Sequence, residues 1–190
     1  MISAMISDRD KEAKLSGLRR SLQRHAIPAF LASPYFFIRD RARIHPGSSV
    51  QLSAGVRFGK GTVVKRWAII QSSGGRITLG RNCAVGSFNH LIAGVADLII
   101  GDDVRLGSHV TVVATTRDYR RKDRLITEQG FRDKGITIGD DVLIGSGAVV
   151  LDGCRIGQGA VIGAGSVVSG RIAPYSIVAG SPAKVVFNRE

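Results

Sequence analysis

From Ile138 onward an apolar residue, or in one case a proline, recurs at every sixth position: Ile138, Ile144, Val150, Ile156, Ile162, Val168 and Pro174. A helix repeats every 3.6 residues and a half-buried strand every 2.0, so a period of six belongs to a repeating unit of one short strand and one corner. Glycine directly follows the apolar residue at Gly139, Gly145, Gly157 and Gly163, where a chain that turns or approaches its neighbour closely has use for it. A small residue stands four places on at Val142, Ala148, Cys154 and Ala160, sized for the inside of a tight corner. The same pattern begins raggedly at Ile44 and Val50. It then settles at Phe58, Val64, Ile70; Leu79, Val85, Leu91; and Ile100, Leu106, Val112. Two steps of nine, from 70 to 79 and from 91 to 100, fit one unit with a bulged corner. Three units make a triangular coil of 18 residues, which predicts five full coils starting at 58, 79, 100, 138 and 156 around a narrow column of Ile, Val and Leu. Strands of successive coils should stack at about 4.8 Å.

Between Val112 and Ile138 the step is 26, so residues 117–137 are expected to leave the coil as a loop. Long loops in compact domains tend to carry function. Leu125, Ile126 and Phe131 give this one something to bury, which predicts an ordered arm reaching over a neighbouring subunit. Residues 1–43 form a separate segment. Within it Leu15, Leu18, Leu22 and Ala26, flanked by Lys14, Arg19, Arg20 and Arg24, read as a basic amphipathic helix that Pro28 should end. The apolar and aromatic run from Phe30 to Ile38 has two readings: a lid over the open end of the first coil, or a docking segment for a membrane surface. The repeat domain is expected over 44–187, broken at Pro182, with 188–190 as a tail.

The chain has 190 residues, 44% of them hydrophobic, and no apolar run of 18, so neither a transmembrane helix nor a secretory signal is expected; a cytoplasmic location follows, with the inner membrane surface as a further option. Cys83 and Cys154 both occupy small corner positions, which points to buried thiols and away from a disulfide or metal pair. The net charge of +12 is uneven. Residues 1–40 hold 7 − 4 = +3, 41–116 hold 9 − 3 = +6, 117–134 hold 7 − 4 = +3, and 135–190 balance at 4 − 4. Such a balance favours anionic ligands: a coenzyme phosphate, an acidic sugar or a membrane surface. Nucleic acid is disfavoured, because no aromatic stacking platform is interleaved with the basic residues.

On the repeat itself, on I-G-D-D-V-L-I-G at 138–145, on G-A-G-S-V-V at 163–168, on Glu128-Gln129-Gly130 and on the terminal Ala179-Gly-Ser-Pro-Ala-Lys, the chain resembles the hexapeptide-repeat acyltransferases, in the branch that O-acetylates sugars. The resemblance implies an all-β fold, a left-handed parallel β-helix; right-handed crossovers would otherwise have been expected. It also implies a homotrimer, acetyl-CoA as co-substrate in a groove between subunits, no metal, and a carbohydrate acceptor. Transferred position by position, Ser146, Gly163, Ala164, Gly165, Ser166, Ser169, Ala183 and Lys184 would line the coenzyme groove. For each glycine, simply turning a corner is the competing explanation.

Acyl transfer to a hydroxyl needs a base for the proton and donors for the tetrahedral oxyanion. The family's histidine falls here on Arg117, which stays protonated and cannot serve as base; it can bind an acid group or steady an oxyanion. Leu143 replaces a common tryptophan. Ser87 and Asn89 lie in a stretch similar to the family's acceptor-binding segment, and His90 beside them is the candidate base, with a structural or orienting role as its alternative. Asp118 and Asp123 are the nearby carboxylates able to orient a histidine, and Asp118 joins Ser87 and Asn89 as a candidate substrate-binding residue. His25, His45 and His109 read as bystanders. Three other assignments remain open: N-acylation of an amino sugar, a non-catalytic scaffold that binds a nucleotide-sugar or partner enzyme, and a carbonic-anhydrase-like metal enzyme, for which the three-histidine pattern is missing.

Overall fold

The computed structural model describes residues 31–190. The expected basic helix around Leu15–Ala26, together with His25, Pro28 and Phe30, lies outside the described residues.

The described chain opens with one helix, α1 (Ala32–Asp40), and then winds through six turns of short strands. The first turn comprises β1 (Arg43–Ile44), β2 (Ser49–Val50) and β3 (Val56–Phe58); the second, β4 (Val63–Val64), β5 (Ile69–Ser72) and β6 (Ile77–Leu79). The third holds β7 (Ala84–Val85), β8 (His90–Ala93) and β9 (Leu98–Ile100), and the fourth β10 (Arg105–Leu106), β11 (Thr111–Ala114) and β12 (Ile136–Ile138). The fifth holds β13 (Leu143–Ile144), β14 (Val149–Val150) and β15 (Arg155–Ile156), and the sixth β16 (Val161–Ile162), β17 (Val167–Val168) and β18 (Arg171–Ile172). A hairpin, β19 (Ser176–Gly180) and β20 (Ala183–Asn188), closes the far end.

Every third strand pairs in parallel, which gives three sheets: face A from β1 through β19 to β20, face B from β2 to β17, and face C from β3 to β18. The result is the left-handed parallel β-helix expected from the sequence. Inward side chains build the core: Ile44, Val64, Val85, Leu106, Ile144, Ile162 and Val178 from face A, matching columns from B and C, and a second inward residue (Val56, Ile77, Leu98 and Ile136) in the longer strands of face C. The small corner residues Val142, Ala148, Cys154 and Ala160 are buried as expected. Gly145 shows why the glycines recur: a Cβ there would lie 2.5 Å from the backbone nitrogen of Ala164 in the next turn.

Steps between core positions are all six at the A-to-B and C-to-A corners. Every departure falls at the B-to-C corner, where the steps are eight, nine, nine, twenty-six, six and four. The step of four corrects the sequence reading at the end of the ladder. After Val168 a tight turn at Ser169-Gly170, with Gly170 at φ 74°, brings Ile172 into register with Ile156. Pro174 therefore lies two residues past the core position, exposed at the next corner. The inserted loop is also offset: Ile136 and Thr137 belong to β12, so it runs from 115 to 135.

Of the two readings for the Phe30–Ile38 run, the lid holds for one side of α1. Phe36 is buried against Phe58, with ring centroids 5.0 Å apart and nearly perpendicular. Asp40 accepts the Phe58 N–H at 3.0 Å and pairs with Arg39, whose guanidinium also reaches the carbonyls of Ser53 and Val56. Pro34 is tolerated in the first turn of α1, where its missing N–H has no intrahelical partner to lose. At the other end, residues 188 and 189 are not a free tail, because Arg189 N–H donates to the Tyr175 carbonyl.

Both cysteines are buried and unpaired, and burial pushes the Cys154 thiol up to about 11. At pH 8 roughly one such thiol in a thousand is ionised, so Cys154 should resist a thiol-disulfide reagent in the native protein and react on unfolding; titration with and without denaturant checks this. Ile144→Ala should cost about 2–5 kcal/mol in urea denaturation, as expected for a large aliphatic side chain removed from a packed column.

Candidate functional site

At the A-to-B corner the chain turns in four residues, as in Gly86-Ser87-Phe88-Asn89 and Gly145-Ser146-Gly147-Ala148. The third residue is left-handed in five successive turns: Trp67 (φ 63°), Phe88 (60°), His109 (59°), Gly147 (72°) and Gly165 (66°). This conformation aims its N–H down the prism, so His109 donates to the Ser87 carbonyl, Gly147 to Ser108 and Gly165 to Ser146, each at 2.9 Å. The fourth residue of each turn faces inward. Along this edge the side chains change sharply in character. Trp67, Phe88 and His109 are exposed, and the Phe88 and His109 rings stack at 4.8 Å with planes 6° apart. Beyond His109 the positions are glycine, and a Cβ at Gly165 would meet nothing within 4 Å. An aromatic wall thus gives way to bare backbone, a floor on which an extended ligand can lie against peptide groups.

Most of the expected coenzyme residues gather on this bare stretch. Ser146 is exposed there, its Oγ accepting the Ser108 N–H at 3.2 Å, and Ala164 and Gly165 are exposed one turn on. Ala183 and Lys184 lie in β20 opposite Gly180 and Ala179, and Gly163 abuts Ala179, so Gly163, Ala183 and Lys184 continue the same edge upward. Two residues stand apart. Ser166 is fully buried, with its Oγ accepting the Gly180 N–H, so its side chain fills the corner and does not line the groove. Ser169 lies at the opposite edge of face B.

The expected acceptor residues also separate. Ser87 is half-buried on the edge itself. Asn89 is fully buried: its Oδ1 accepts the Val110 N–H at 2.8 Å, and among the described residues no partner meets its Nδ2. Its side chain therefore packs inside the prism, away from any acceptor at the surface. His90 points outward from face B, flanked by Ile69 and Thr111 of the adjacent strands. His109, read as a bystander from the sequence, sits on the candidate edge between Ser87 and Ser146. The signal for it was the aromatic residue at the third corner place in successive turns.

Arg117 and Asp118 lie across face B, at the B-to-C corner, where the loop 115–135 doubles back on itself. Asp118 N–H donates to Gly130 and Arg132 N–H to Thr116, while the Arg117 guanidinium lies over the Phe131 ring at 4.4 Å from its centroid. Gln129, of the Glu-Gln-Gly motif, holds the tip: its amide donates to the carbonyls of Arg121 and Arg124 and accepts from Arg121 N–H. Asp133 ties the loop base to Val95, Thr115 and Thr116, and Asp152 ties it to Lys134 and Gly135. Here Arg117, Arg120, Arg132 and Lys134, with Asp118 and Asp152, line an open cleft of about 320 Å³. Asp118 faces Arg120 at 3.5 Å and Arg132 at 3.9 Å, which leaves the cleft an excess of positive charge. Asp123 instead pairs with Arg121, whose guanidinium lowers its carboxyl from the ordinary value. Leu125, Ile126 and Phe131 are all exposed and stand outside the buried core.

Face B joins the two edges. Its outward residues are Ser49, Ile69, Gln71, His90, Ile92, Thr111, Val113, Val149 and Val167, with no Lys, Arg, Asp or Glu among them. The other faces present Arg43 and Arg105, or Arg57, Arg155 and Arg171. In a chain of net charge +12 this contrast is a strong one.

The fold is a prism of stacked six-residue repeats, and the comparisons are with proteins built from such repeats. Residues 135–170 match the family model described as bacterial transferase hexapeptide (six repeats). A probable acetyltransferase of Mycobacterium tuberculosis is 32% identical over 165 residues, covering 84% of this chain and 54% of that protein. The galactoside O-acetyltransferase of Escherichia coli is 37% identical over 115 residues, covering 60% and 55%. The chain thus spans about half the length of these curated relatives. Among solved structures, a point mutant of AntD, an N-acyltransferase from Bacillus cereus in complex with dTDP and coenzyme A, shares the fold with a TM-score of 0.70 at 19% identity over 78% of this chain and 82% of that one. A hexapeptide-repeat acetyltransferase of Vibrio cholerae does so with a TM-score of 0.55 at 21% identity, over 93% and 89%.

The corner role of Asn89 has a measurable consequence. Asn89→Ala should lower stability by about 1–3 kcal/mol in urea denaturation, because Val110 N–H is left buried without its acceptor, whereas Ser87→Ala should change it by no more than about 0.5 kcal/mol.

Proposed function

We propose that the chain transfers an acetyl group from acetyl-CoA to a hydroxyl of a sugar or polysaccharide building block, in a site completed by a second copy of itself. The observation that carries this reading is the bare glycine edge of Ser146, Ala164 and Gly165, bounded by the His109–Phe88 wall and continued by Lys184. A pantetheine arm is extended and amide-rich, so it suits a floor of exposed peptide groups, and Lys184 is the cation for a phosphate. The named activities of the relatives, galactoside O-acetyltransferase among them, support the same chemistry.

In this scheme the acceptor oxygen attacks the thioester carbonyl carbon while a base takes its proton. The tetrahedral oxyanion then collapses, the carbon–sulfur bond breaks, and the coenzyme thiol departs with a proton returned by the same base. Arg117 stays cationic, and its part is to hold an anionic group or the oxyanion. The base is an imidazole, either His90 on face B or His109 on its rim. The Arg117 cleft and the glycine edge flank opposite sides of one face, so a single chain does not bring them together. Packing of the charge-free face B against another copy does, and the exposed Leu125, Ile126 and Phe131 supply the arm that reaches across. A homotrimer is the closed assembly this reading takes.

Amino-sugar N-acylation is the second reading. The fold shared with AntD, solved with dTDP and coenzyme A, and the cationic cleft around Arg117 both favour a nucleotide-linked acceptor.

The test is thiol release from acetyl-CoA with panels of sugars and of amino-sugar nucleotides. Transfer to a hydroxyl, abolished by Gly165→Val and lowered about 100-fold or more in kcat by His90→Ala or by His109→Ala, is the expected result. Full activity in both histidine variants would remove the imidazole mechanism, and a lone-chain mass by light scattering would remove the shared site.

A further inference from the structure

The two sides of α1 meet different surroundings. Ala32 and Phe36, four residues apart, are buried on the first turn of the prism. Leu31, Pro34, Tyr35 and Ile38, spaced i, i+3, i+4 and i+7, face away from it, with Phe37 beside them. Ile38 is 81% exposed and Phe37 59%, a density of bare apolar side chains that nothing in the fold of this chain covers among the described residues.

The charge around this end is one-sided. Between residues 31 and 75 the sequence has seven lysines and arginines and one acid, Asp40. That carboxylate has 6% of its side chain exposed and is committed to Arg39 and to the Phe58 N–H. Arg41 caps α1, Arg43 and Arg57 project from the outermost strands of faces A and C, Lys60 follows β3, and all four are exposed. In the sequence ahead of α1, residues 13–30 add Lys14, Arg19, Arg20 and Arg24 with no acid, whereas residues 1–12 hold Asp8, Asp10 and Glu12 against Arg9 and Lys11.

We propose that this end of the prism docks on an anionic lipid bilayer, with α1 lying in the interface plane. Leu31, Phe37 and Ile38 enter the boundary between headgroups and acyl chains, while Arg41, Arg43, Arg57 and Lys60 meet the lipid phosphates. Apolar insertion combined with cationic flanks is the recognition mode of interfacial helices, and each signal alone is weak. A polyanion such as RNA would use the arginines and leave the aliphatic side chains in water. The lid and the membrane surface, alternatives in the sequence, are assigned to opposite sides of one helix. The inference is independent of the acyl-transfer reading.

Co-sedimentation of the full chain with phosphatidylcholine vesicles, with and without roughly a third of phosphatidylglycerol, tests it. The expected result is retention on the anionic vesicles only, reduced about ten-fold or more by Phe37→Ser with Ile38→Ser, and likewise by Arg41→Gln with Arg43→Gln, at unchanged thermal unfolding. Equal retention on both vesicle types, or variants that bind like the parent chain, would overturn the proposal. So would a fall in oligomer mass on Phe37→Ser with Ile38→Ser, which would make a second copy the occupant. RNA binding that exceeds vesicle binding and survives the same pair of substitutions would overturn it as well.

Discussion

Everything in this molecule follows from the stacking of one turn on the next. Each short strand satisfies its backbone only by bonding to the turns below and above, so three parallel ladders must advance together. A side chain at a given place in a turn is therefore held directly over its counterpart, and the sequence becomes a set of columns. The inward columns make a narrow core of Ile, Val, Leu and an occasional Phe, with small Ala and Cys beside them. The outward columns inherit the same alignment without the same restriction.

The candidate site is a by-product of that alignment. The left-handed third residue of each A-to-B turn is demanded by hydrogen bonding to the preceding turn, whichever residue occupies it. Where the residue is aromatic the edge becomes a wall, and where it is glycine the edge becomes a floor. No residue has to be placed by a special loop, because repetition puts Ser146, Ala164 and the β19–β20 hairpin in line. The opposite edge works differently. There the loop 115–135 is shaped by its own bonds, through Gln129, Asp133 and Asp152, and the cationic cleft depends on them.

Periodicity made the prism legible in the sequence from Phe58 to Val168, down to the small corner residues and the buried thiols. It failed at Pro174, because a count of six cannot register a corner shortened by Ser169-Gly170. It assigned Asn89 to the acceptor by resemblance, while the corner geometry turns that side chain inward to serve Val110. His109 stacks on a residue 21 positions earlier, a relation that exists only once the turns are superposed, so the sequence order hides it. The charge-free outer surface of face B was hidden for the same reason, its members being scattered between basic residues along the chain. The apolar run before the prism was visible, but only the helix shows that it has two sides with separate uses.

All irregular step lengths, from four residues to twenty-six, fall at a single corner of the triangle. The other two corners hold a uniform length through all six turns, because a change there would break the register of the core columns or of the glycine edge. Insertions and deletions are thereby funnelled to one seam, where they can reshape what sits over the cationic cleft without shifting the opposite edge by a single residue. A scaffold partitioned in this way can have one edge reshaped by altering loop length alone, with the glycine edge carried along unchanged.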